Sequence, residues 1–166
     1  MSDVRFIEQA FGSRIRPRHI RDATKASDEI YSDADIFKEL DWRDVTCDLL
    51  ERHRDAIYGF LPEAFCYFLP GIYTVGIQEG RPELLVNHGL IAMLDRGNAP
   101  GSWDEFFRQR WRNLTSSECE ATQRWILWLA AFNPGPIADA SLSRAYDIID
   151  LLANQGGASP IAAWPK

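Results

Sequence analysis

The chain has 166 residues, 46% hydrophobic and 25% charged, with 24 acids against 18 lysines and arginines and a net charge of −6. These totals fit one globular domain that buries about two-thirds of its unfolded surface, exclude wholesale disorder, and disfavour direct contact with nucleic acid or an anionic membrane, which needs Lys and Arg. There is no run of 18 apolar residues and no basic start leading into an apolar stretch, so neither a membrane span nor a signal peptide is expected.

Val4 to Phe11 has Phe6, Ile7, Ala10 and Phe11 on one face at helical spacing and Gly12 as a stop. Residues 14–25 are basic (Arg14, Arg16, Arg18, Arg21 and Lys25 against Asp22), with Pro17 imposing an extended or turn-like stretch. A brief helix is expected over Ser32 to Leu40, with Ile36, Phe37 and Leu40 inward.

Residues 28–51 hold nine acids and two bases, a net −7, so the rest of the chain sums to +1. The strongest helical pattern, Asp41 to Phe60, overlaps this segment. Asp41 is its expected N-cap, and Trp42, Val45, Thr46, Leu49, Leu50, His53 and Ile57 follow the i, i+3, i+4 pattern. On one continuous helix, Asp41, Asp44, Asp48, Glu51 and Asp55 form a narrow acidic stripe opposite the apolar face.

The run FLPEAFCYFLPG, residues 60–71, comes next. Pro62 and Glu63 suit a helix start, Phe65, Phe68 and Leu69 point inward, and Pro70-Gly71 predicts a break or kink. The Ile72 to Ile77 stretch fits helix or strand. Pro82 opens a further helix with Leu84, Leu85, His88, Ile91 and Leu94, and a loop spans Gly97 to Gly101. Ser102-Trp-Asp-Glu105 and Thr115-Ser-Ser-Glu118 read as capping boxes for two helices carrying Trp103, Phe106, Phe107, Arg110, Trp111 and Leu114, then Trp125, Ile126, Trp128, Leu129 and Phe132. Asn133 to Pro136 is a break. Ser141 to Ala153 is the last helix, ending at Asn154 and Gly156-Gly157. The expected fold is mainly α: one compact domain of about six to eight helices over residues 1–157, at most a minor β element, and a loosely held tail over 158–166 with Trp164 as its anchor.

Three cysteines, Cys47, Cys66 and Cys119, cannot all pair within one chain and match no zinc spacing, so free thiols in a reducing cytoplasm are expected. Cys66, between Phe65 and Tyr67, reads as a packing residue, as do the tryptophans. His19, His53 and His88 are isolated, and His53 fits a hydrogen-bonded position at the edge of the core. Ion pairs with nearby acids are expected for Arg108, Arg110 and Arg112. No nucleophile elbow, phosphate loop or dinucleotide fingerprint occurs, and no cofactor, metal or catalytic residue is assigned.

The FLPEAFCYFLPG run resembles the signature of a family of small bacterial helical proteins, an aromatic–Leu–Pro–Glu–Ala–Phe–x–aromatic–aromatic–Leu–Pro segment joining two helices. The likeness extends weakly over residues 4–132. It implies a packing role for the run and transfers no activity.

Function then rests on the acids. Asp33, Asp35, Asp41, Asp44, Asp48 and Glu51 are the candidate partner-binding residues. Carboxylates in a row imitate a nucleic-acid backbone and suit a basic cleft, so the expectation is a non-enzymatic, cytoplasmic protein-binding module, an immunity-type inhibitor that covers a basic bacterial toxin. The alternatives are a divalent-metal-dependent hydrolase using the same acids, and a structural subunit that self-associates through an exposed aromatic patch.

Overall fold

The sequence gives α5, Pro62–Glu79, an apolar side chain on almost every bearing, and the helix is accordingly buried without interruption from Ala64 to Gly76. A helix that is apolar all round belongs in the centre of a fold. A computed structural model describes residues 1–25, 29–132 and 135–155. Around α5 it places α1 (Asp3–Phe11), α2 (Glu29–Asp35), α3 (Cys47–Arg52), α4 (Ala56–Gly59), α6 (Leu85–Leu94), α7 (Glu105–Trp111), α8 (Ser116–Phe132) and α9 (Asp139–Gln155), with short 3-10 turns at Trp42–Asp44 and Pro100–Ser102. Among the described residues there is no strand, only an isolated bridge between Arg21 and Phe60. The mainly α fold expected from the sequence is the observed one, with nine α-helices in the described residues.

Aromatic rings fasten the neighbours to α5. Tyr73 stacks on Trp125 of α8 at 4.4 Å between centroids and meets Phe11 of α1 edge-on at 6.3 Å. Phe65 meets Trp111 of α7 at 5.1 Å. Phe68 packs with Phe37 and Phe60 at 5.2 Å each. Such pairs add roughly 0.5–1.5 kcal/mol each beyond the area they bury.

Of the break or kink expected at Pro70-Gly71, the break does not occur: α5 runs through it, and residues 72–77 take the helical one of their two readings. Proline inside a helix costs about 3 kcal/mol, a penalty that burial on all sides of the helix outweighs. Thr74 meets the local carbonyls, donating to Pro70 O at 2.7 Å. Gly71 has a different use. The Trp42 carbonyl lies so close that a Cβ at position 71 would stand 2.2 Å from its oxygen.

That close approach belongs to the second departure from expectation. Residues 41–60 are not one helix but a 3-10 turn followed by α3 and α4. Asp41 and Asp44 close a capping box around the turn, Val45 and Thr46 are extended, and the Thr46 hydroxyl caps α3 through Leu49 N at 3.2 Å. Side chains that satisfy backbone donors locally compete with helix continuation, and here they win twice. The apolar periodicity survives, because Trp42, Val45, Leu50 and Ile57 are all buried.

Smaller corrections follow the same logic. The brief helix ends at Asp35, leaving Phe37 buried but Ile36 exposed. Leu85 is exposed, and Asn87 is buried in its place with its amide donating to Pro82 O at 3.1 Å. Asp104 rather than Ser102 caps α7, accepting from Phe107 N at 2.8 Å. Leu127 and Phe132 of α8 stand exposed. The second capping box forms as expected: Glu118 N donates to Thr115 Oγ1 at 3.3 Å, and Thr115 N donates to Glu118 Oε2 at 2.8 Å. Asp28, the start of the 133–136 break, the Gly156-Gly157 stop and Trp164 with its tail lie outside the described residues.

Glu118 also receives Arg14 in a two-pronged pair, Nε to Oε1 at 2.5 Å and Nη2 to Oε2 at 2.7 Å, while Nη2 donates to Asn113 O. The carboxylate is 2% exposed. This clamp ties the chain just after α1 to the start of α8. Glu118→Gln removes the charge and leaves a largely buried guanidinium uncompensated, so it should lower stability by about 3 kcal/mol in urea unfolding. Gly71→Ala should cost about 2–3 kcal/mol, from forced separation of the Trp42 carbonyl and α5. Gly97→Ala, where a Cβ meets nothing within 4 Å, should stay within about 0.5 kcal/mol in the same assay.

Candidate functional site

The six acidic residues singled out by the sequence sit on the segment from α2 to α3. The 42–44 turn and α3 pack on α5, and α2 packs on α4. The residues lie in one region of the molecule but on three short elements, so the single-helix stripe does not exist.

Each carboxylate has a partner within the fold. Asp33 meets His53 Nδ1 at 2.9 Å, linking α2 to the end of α3, with both side chains about three-quarters buried. That places His53 at the edge of the core in a hydrogen-bonded role. Asp35 accepts from Arg21 Nε at 2.7 Å. Asp41 accepts from Arg43 N at 2.9 Å and from the Tyr67 hydroxyl at 2.8 Å, besides pairing with the Arg43 guanidinium at 3.2 Å. Asp44 accepts from Asp41 N at 3.1 Å. Asp48 pairs with Arg52 one turn along α3, and Glu51 faces Arg81 at 3.6 Å.

These partners set the electrostatics. The hydrogen bond from Arg21 holds the Asp35 carboxyl below its ordinary range. Partial burial opposes ionisation of Asp41, but the Arg43 amide, the Tyr67 hydroxyl and the Arg43 guanidinium together hold its carboxyl low. Burial and the same Asp41 contact push the Tyr67 phenol up. Asp41 is thus a structural acceptor as well as a surface charge. Asp48 is the opposite case, 74% exposed with a single one-turn pair. Three apolar side chains on this segment and the α4 helix it packs on, Ile30 and Ile36 at α2 and Tyr58 on α4, are exposed.

Among the described residues no three His, Cys, Asp or Glu side chains gather into a set placed to hold a metal ion. Among the described residues, Arg108 and Arg110 meet backbone carbonyls rather than the acids expected. Arg110 is buried, donates to Phe60 O at 2.7 Å and lies 3.6 Å over the Phe106 ring. Arg108 donates to Pro100 O and Gly101 O. Carbonyl acceptors that gather near a buried guanidinium leave no mark in a linear charge pattern. The same holds for a surface groove of about 510 Å³ along α8, beside Trp128, Tyr146 and the exposed Leu127 and Phe132.

No family model, curated protein or solved structure matches the chain. No helix among the described residues is long and apolar enough to cross a membrane.

The three cysteines are free and buried. Burial pushes each thiol up to about 12, with Glu79 adding to the effect at Cys47. The thiolate is the reactive form, so native protein at pH 8 should be silent to a disulfide reagent such as DTNB, and all three thiols should react after unfolding in guanidinium. An acid whose folded pKa lies above its unfolded value near 8.5 contributes its full stability below that pH and loses it as pH rises through the folded value. Stability measured in urea should therefore fall between about pH 9 and pH 12. Fast thiol labelling of the native protein at pH 8 would contradict this burial.

Proposed function

We propose that the chain is a non-enzymatic protein-binding module of the immunity type, acting in the cytoplasm, and that the α2–α3 region docks on a basic surface of an enzyme partner. The observation that carries this reading is the combination on one region of six carboxylates and the exposed Ile30, Ile36 and Tyr58. Charge guides encounter and fixes orientation, while apolar side chains that become fully buried in the contact supply much of the affinity.

The internal ion pairs are compatible with this use. Pairs as exposed as Asp48–Arg52 are worth roughly 0.2–1 kcal/mol, so a partner's lysine or arginine can replace Arg52 at little cost. Asp41 and Asp44 hold the 3-10 turn and Asp33 holds α2, so these three present a fixed geometry. Asp48 and Glu51 on α3 are the adaptable members of the set.

The Asp48→Lys/Glu51→Lys variant removes two negative charges and adds two positive ones without touching the caps of α3. Its circular dichroism should match the wild type. As bait in affinity capture from the native cell, the wild-type chain should retain a basic protein whose binding weakens in 0.5 M salt, and the variant should lose it by a factor of about 100, the effect of removing and reversing charges at a steered interface. Equal retention by the folded variant would rule out this surface, and an acidic partner insensitive to salt would rule out the mechanism.

A further inference from the structure

We draw no further inference here: the strongest candidate, the groove along α8 in which Leu127 and Phe132 stand exposed, carries nothing because nothing in the structure shows what covers it.

Discussion

The contact between the Trp42 carbonyl and the bare Cα of Gly71 fixes the rest of the arrangement. Because α5 has no side chain there, the 42–44 turn lies directly against the helix backbone, and Val45 reaches the same spot. From that point the chain can place Trp42 and Leu50 in the core while Asp41, Asp44 and Asp48 stay at the surface. A second close approach works alongside it: a Cβ on Gly59 would stand 2.6 Å from Ile30 O, so α2 sits against α4 backbone to backbone. Two glycines, neither needing an unusual backbone conformation, thus set where the acidic region lies. Their role is to be small, the use glycine has wherever two backbones must meet.

The interior and the surface divide the energetic work. The interior holds rings in edge and stacked contacts, thiols with no access to water, and one clamp, Arg14–Glu118, in which a buried carboxylate has both oxygens engaged. Interactions there cannot be exchanged without leaving a charge or cavity behind. On α3 the exposed Asp48–Arg52 and Glu51–Arg81 pairs are solvent-screened and individually weak. Rearranging those two pairs changes stability little.

Much of the fold was legible in the sequence because the signals were local and agreed with one another. Gly12 follows α1, and the inward face of Ile7 and Phe11 is the one the spacing indicates. The Thr115–Glu118 box forms as written, since both of its partners lie within one turn. The Asp41–Phe60 region misled for a specific reason. Its apolar residues repeat at helical spacing because they face the core, and an irregular chain achieves that burial as well as a helix does. Periodicity reports which residues face the core and does not by itself report the backbone path between them. Pro70-Gly71 misled in the opposite direction. A local rule about helix breakers was applied to a segment whose surroundings outweigh it, and the glycine answered to a carbonyl some thirty positions earlier in the chain.

The candidate site shows the same limit in terms of charge. Counting acids located the segment, since charge is additive along the sequence, but their arrangement depends on cations and donors that arrive from elsewhere. Arg21 comes from the basic stretch, Arg81 from beyond α5 and the Tyr67 hydroxyl from α5 itself. These convert a uniform acidic run into members of two kinds. Asp41 is bound into the fold by three donors, whereas Asp48 is held by one neighbour on its own helix. A docking surface benefits from both kinds: fixed acceptors keep the ordering cost of binding low, and loosely paired ones accommodate the partner's own cations. A uniform stripe on a single helix would have supplied the same charge with less of that fixed geometry.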